Sequence, residues 1–236
     1  MNPILKNLRA ELKRNADAST KKSFQRFFKE EVKCYGVKTP TVRRIAGAFW
    51  KDVKALDKYA IFALCEDLYR SDVMEEASVA SCWIPKLAGQ FEKNDLFVFK
   101  KWIVLYVDNW AKCDVFCSQS VGDILEKFPE CIEEVKSWTR SQNRWMKRAA
   151  AVSLIVPVRN GKFLKDVFEI ADALLGDEDD MVQKGYGWLL KEASHLHQKE
   201  VFEYVVRNRK RMPRTALRYA VELMPANMKK EAMKKD

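Results

Sequence analysis

Trp110 and Asp114 stand four residues apart in Asp108-Asn109-Trp110-Ala111-Lys112-Cys113-Asp114. On a helix that spacing puts an indole and a carboxylate on one face. Both groups stabilise positive charge, the ring through its electron-rich face and the acid through its full charge. A carboxylate can also orient or deprotonate an attacking water. An Asp near a predicted helix start has a plainer use as an N-cap, and by residue type alone Asp114 fits that use as well. Trp188 lies between Gly187 and Leu189, with Gly185 just before on the same presumed helix. Glycines inside a helix cost stability. A close approach to a ligand would account for them, and so would tight helix packing. Arg148, in Lys147-Arg148 beside three Ala, reads on its own as a solvated charge. Asp108 and Asp123 are further acids in the same stretch of chain.

Other chemistries find no pattern here. The six Cys form no Cys-x-x-Cys pair, and with two His no zinc spacing appears. Cys113 and Cys117 would share a helical face and read as small buried residues. His195 and His197 lie in a polar stretch, 194–199, that reads as a solvated helix end. No Gly-x-Gly-x-x-Gly and no Gly-Lys-Ser/Thr is present to cradle a nucleotide. Neither a metal nor a cofactor is expected.

The elements that must hold these side chains are helices. Ile124, Leu125, Phe128, Ile132, Val135 and Trp138 recur at three- and four-residue steps. With 8 Gly and 7 Pro in 236 residues, the scarcity of turn-formers argues against an all-β sandwich. Thr39 before Pro40 predicts an N-cap followed by Pro at the first helical position. Asp72 followed by Glu75 predicts a capping box. Asp177 to Asp180 loads a helix start with negative charge. Pro157 and Gly161 mark a helix stop. Four segments open with a polar turn and continue as helices rich in small residues: 72–80, 143–152, 180–188 and 212–220. Aligned on Ala149, Gly185 and Thr215 they are spaced by 36 and then 30 residues, near the period of stacked helix pairs.

Charge sits at the ends. The whole chain carries +10, residues 1–50 carry +8, residues 199–236 carry +6, and the middle is acidic. Arg207, Arg209, Lys210, Arg211, Arg214 and Arg218 follow one another without an acid between them. Such a distribution suits an anionic partner, nucleic acid before a membrane surface. No uninterrupted apolar run of spanning length exists, and residues 1–14 lack a signal-peptide core. A cytoplasmic protein is expected.

The chain resembles the DNA alkylation repair family of AlkD-type glycosylases over essentially its whole length. The resemblance is carried by the segments Tyr35 to Arg44, Asp108 to Asp114, Asn143 to Ala150, Gly187 to Glu192 and Met212 to Ala220, in order and at matching distances. It implies an all-α fold, an α-solenoid of HEAT-like antiparallel helix pairs in a single domain, 1–236, superhelical with a basic concave face. It implies a monofunctional DNA glycosylase acting in base excision repair, which hydrolyses the N-glycosidic bond of cationic N3- or N7-alkylated purines in duplex DNA. Asp114 is then the catalytic carboxylate, Trp110 and Trp188 wall the site, and Arg148 binds backbone phosphate beside it. Further DNA contacts are expected from Phe27, Lys29, Lys38, Thr39, Arg43, Arg44, Lys191 and Arg214. Phe27 stands where relatives often carry Tyr, and Lys191 where some carry Arg. The family reads its lesion without drawing it into a deep pocket, unlike the usual base-flipping route. A monomer is expected.

The chemistry is self-consistent. An N3- or N7-alkylated purine already carries a positive charge, so its departure needs no acid, in contrast to sugar hydrolysis by paired carboxylates. One carboxylate and two indoles are a sufficient set. The alternative is a non-catalytic helical-repeat protein that binds nucleic acid or a protein partner. It would keep the basic surface and dispense with the carboxylate.

Overall fold

A computed structural model describes residues 2–29 and 31–234. Helices account for most of the described residues, and no strand occurs among them. The chain packs as two compact units, one reaching Phe116 and one beginning at Cys117.

The first unit contains α1 (Pro3–Arg14), α2 (Ala18–Gln25), α3 (Thr39–Val53), α4 (Lys58–Arg70), α5 (Met74–Trp83), α6 (Asp95–Tyr106) and α7 (Trp110–Phe116). Helices α1, α3, α5 and α7 pack in succession as one row, and α4 packs on α6 as a second. An aromatic cluster fills the space between α4, α6 and α7. Phe116 meets Tyr69 at 5.5 Å and Phe99 at 5.2 Å, and Trp102 meets Phe62 at 5.6 Å. Burying rings of this size anchors the end of α7.

The second unit opens with a π-helical turn, Cys117–Val121. It continues through α8 (Gly122–Lys127), α9 (Ile132–Ser137), α10 (Arg144–Val152), α11 (Ile155–Arg159), α12 (Leu164–Leu174), α13 (Asp180–Ala193), α14 (Gln198–Asn208), α15 (Arg214–Ala220) and α16 (Ala226–Ala232). Helices α10, α13 and α15 form one row. In the other, α9 meets α12, α12 meets α14 through stacked Phe168 and Tyr204 rings 4.9 Å apart, and α14 meets α16. The helices thus stack in two rows, each helix packing on one two or three places further along the chain, the arrangement of a solenoid. The four repeated segments become α5, α10, α13 and α15, so the degenerate repeat marks one row of helices in each unit.

The start signals fared unevenly. Asp179 caps α13, its Oδ1 accepting from the Met181 and Val182 N–H groups. Thr39, by contrast, is already helical. The cap of α3 is Lys38, without a side-chain bond, and Pro40 falls one position later than expected. The Asp72–Glu75 capping box does not form. Asp72 lies at φ 62°, Val73 takes the cap position, and Glu75 turns its carboxylate to another segment. Glu75 accepts from the backbone N–H groups of Tyr35, Gly36 and Val37 at 3.0, 2.8 and 2.9 Å. Three stranded donors in a buried loop outbid one helix terminus for a single carboxylate.

Candidate functional site

In the first unit Asn109 supplies the cap of α7, its Oδ1 accepting from the Lys112 N–H at 3.0 Å. Asp114 lies in the last turn of this seven-residue helix, so the N-cap reading of Asp114 does not hold. Trp110 opens the helix, and both side chains are partly exposed. The Trp110 indole stacks on Phe28 with centroids 5.4 Å apart and planes 21° from parallel. That stack, with Phe24, Phe27, Thr39, Met74 and Val115, lines an apolar cleft of about 310 Å³. Phe27 stands at its edge, 70% exposed. The structure therefore brings Trp110, Phe27 and Thr39 around one cleft, with Asp114 one turn along α7.

The cationic edge of this unit is built by the loop that Glu75 holds. Gly36 sits at φ +95°, and a Cβ there would lie 2.5 Å from the Asp17 carbonyl oxygen, so no other residue fits. The loop delivers Lys38 and Thr39 to the start of α3, exposed, with Arg43 and Arg44 exposed one turn later. Lys29 is exposed beyond the end of α2.

Between Trp110 and Asp114 in sequence lies a cage. The Lys112 side chain is 1% exposed, and its Nζ meets Asp72 at 2.6 Å and Asp108 at 2.9 Å. Burial raises the Asp108 carboxyl above its ordinary value despite the ammonium. At Asp72 burial opposes ionisation too, but the bond to Lys112 prevails and holds the carboxyl low.

In the second unit Arg148 is 5% exposed on α10, and its guanidinium donates to the Met181 carbonyl of α13. Gly185 makes room for it, since a Cβ there would stand 3.2 Å from Arg148 Cγ. Arg148 is no solvated charge. Trp188 is half-buried, and its indole N–H donates to Glu192 Oε1 at 2.7 Å. Gly187 answers the other half of the glycine question, because a Cβ there would lie 2.8 Å from the Ala216 carbonyl oxygen and from Tyr219 Cβ. Tight packing of α13 on α15 requires it. Lys191 pairs with Glu222 at 3.0 Å and lies over the Tyr219 ring. Arg214, exposed at the start of α15, donates to the Met233 carbonyl at 3.2 Å.

Residues 8–224 match the profile of a family described as DNA alkylation repair enzyme. The chain belongs to that family. A solved structure, a predicted DNA alkylation repair enzyme from Enterococcus faecalis, superposes with a TM-score of 0.79 at 15% identity, over 90% of this chain and 98% of that chain. At such identity the likeness establishes the fold. No curated protein matches.

A role in DNA alkylation repair gives the surrounding residues a context. All six Cys are free, and Cys113 and Cys117 are buried as read from the sequence. His195 is half-exposed near Glu192 at 3.4 Å. No group of three His, Cys, Asp or Glu is placed to hold a metal ion among the described residues. No described helix is long and apolar enough to cross a membrane. Two buried charges beside these side chains, Lys112 and Glu192, escape a reading of the sequence, and Glu75 takes a role other than the capping box read there. Asp108 and Lys112 at i,i+4 were a visible signal for half of the cage. Asp72 lies 40 residues before Lys112, and Arg159 lies 33 before Glu192. No local pattern links such partners.

Proposed function

We propose that this protein is a monofunctional DNA glycosylase that releases cationic N3- or N7-alkylated purines from duplex DNA. The observation that carries the reading is the Trp110–Asp114 face of α7. An indole is fixed by stacking on Phe28, and a carboxylate one turn away is not used as the helix cap. Membership of the DNA alkylation repair family supports the substrate class.

In the reaction, water attacks C1′ of the deoxyribose as the N-glycosidic bond breaks. The electron pair of that bond goes to the purine, which leaves neutral, so no acid is needed. Positive charge grows on the sugar ring. Asp114 stabilises it and takes or orients the proton of the attacking water, while Trp110 and Trp188 offer their electron-rich faces. The exposed cations Lys29, Lys38, Arg43, Arg44 and Arg214 hold phosphates, with Phe27 and Thr39 at the cleft and Lys191 on α13. Arg148, which ties α10 to α13 through the Met181 carbonyl, is the backbone-phosphate contact of this reading beside the site. Neither a metal nor an organic cofactor enters this scheme. We place the activity in one functional chain, acting as a monomer in the cytoplasm.

The test is release of 7-methylguanine or 3-methyladenine from methylated duplex DNA under single turnover. Asp114→Asn keeps the shape and removes the charge. It should slow release by about 10²-fold, roughly 2.7 kcal/mol of barrier, with little change in DNA affinity. Binding should weaken steeply between about 50 and 200 mM salt as phosphate counterions compete. A folded Asp114→Asn protein that excises at the parent rate overturns the assignment. A parent that binds DNA and releases no base is the non-catalytic binder.

A further inference from the structure

Glu192 is buried, 4% exposed, and yet carries a full side-chain carboxylate in α13. Its two oxygens are divided. Oε1 accepts the Trp188 indole N–H at 2.7 Å, and Oε2 accepts from Arg159 at 2.6 Å, with His195 at 3.4 Å. A neutral acceptor would satisfy the indole equally well in geometry. Placing an anion there costs desolvation, which Arg159, itself half-exposed, offsets in part. A charge-assisted bond at 2.7 Å pulls the N–H proton toward oxygen and pushes electron density into the ring. The attraction of a ring face for a cation grows with that density. Gly187, next to Trp188, lets α15 pack closely on α13.

We infer that Glu192 is a positioning residue which, through the Trp188 N–H, fixes the indole and enriches its face for the cationic sugar of the excision step. This rests on the proposed glycosylase reading, and in particular on Trp188 facing the reacting sugar. Glu192 touches no substrate in this account and acts only through the ring.

The test compares binding of two duplexes. One carries a pyrrolidine analogue of the abasic sugar, whose protonated ring nitrogen places a cation at the reacting centre. The other carries the neutral tetrahydrofuran analogue. The parent protein should prefer the cationic duplex. Glu192→Gln keeps an acceptor for the indole N–H and removes the charge, and it should shrink that preference by about threefold while leaving affinity for the neutral duplex unchanged. In ¹⁵N-labelled protein the Trp188 indole N–H resonance should move upfield. Trp188→Phe cuts the same link from the other side and should lose at least as much preference. Adding Glu192→Gln to it should then change nothing further. Should Glu192→Gln fail to fold, the Trp188→Phe arm still decides, since an unchanged preference there overturns the inference. The inference also falls if Glu192→Gln folds and keeps the full preference. It falls if the loss persists in the Trp188→Phe background, because Glu192 then acts directly rather than through the ring. A parent protein without any preference overturns the glycosylase reading together with the inference. A parent preference that Glu192→Gln leaves intact overturns the inference alone.

Discussion

The two units bury opposite charges on the helices that carry Trp110 and Trp188. In the first, a buried ammonium, Lys112, lies two residues after Trp110 and is neutralised by half-exposed Asp72 and Asp108. In the second, a buried carboxylate, Glu192, lies four residues after Trp188 and is neutralised by half-exposed Arg159, with the His195 ring 3.4 Å away. In both, the buried member sits on the helix that carries the Trp. The partners come from the rim, where water already solvates them. The difference between the units is what the buried charge does. Lys112 bonds no ring and ties the start of α7 to the turn before α5. Glu192 bonds the indole itself. One unit fixes a helix, and the other fixes a side chain.

That contrast can be broken from either side, and the largest effect should come from stripping the cage of its acids. Asp72→Asn with Asp108→Asn leaves a buried ammonium without a counter-charge. It should cost about 3 kcal/mol in urea melts, at the low end of the range for such broken pairs because water reaches the rim. Asn tolerates the φ of 62° at position 72, so backbone strain would not contribute. Lys112→Met removes the buried charge instead and fills its space. The two acids left behind are half-exposed, and the cost should be about 1 kcal/mol or less. Equal losses in the two variants would mean that the cage is held by packing rather than by charge.

The smallest effect concerns Asp123 on α8, which lies outside both arrangements. Burial, with a smaller push from Glu126, raises its carboxyl from 3.8 to about 6. The folded state then binds the extra proton, so stability falls as pH rises from about 4 through about 6. Asp123→Asn should abolish that fall and raise stability near pH 7 by no more than about 1 kcal/mol, since solvent screens a partly exposed site. A melting series that stays parallel to the parent from pH 4 to 7 would contradict this.

What was legible in the sequence follows from the range of each interaction. The i,i+4 spacing of Trp110 and Asp114 is local, and the two do share α7. The acidic run 177–180 is local, and it does open α13, where Asp179 serves as the cap. The repeat at Ala149, Gly185 and Thr215 records a demand made by every layer of the stack, so it survives in the sequence and maps onto one row of helices. Glu75 was misread because a capping box and a loop clasp use the same carboxylate. The choice depends on a loop 40 residues away. Arg148 looked solvated because Ala neighbours reveal nothing about what lies across from them. The glycine that receives it is 37 positions on.

The two glycines of α13 carry different freedoms for sequence drift. At position 185 an added methyl meets the aliphatic stem of Arg148 at 3.2 Å, a neighbour that can lean aside or be shortened by a change of its own. The pair forms a negotiable bargain in which either member can change once the other has. At position 187 the methyl meets a carbonyl oxygen of another helix at 2.8 Å, and no single replacement elsewhere moves a backbone. A library randomised at 148 and 185 together should therefore return many folded pairings, while one randomised at 187 should return glycine.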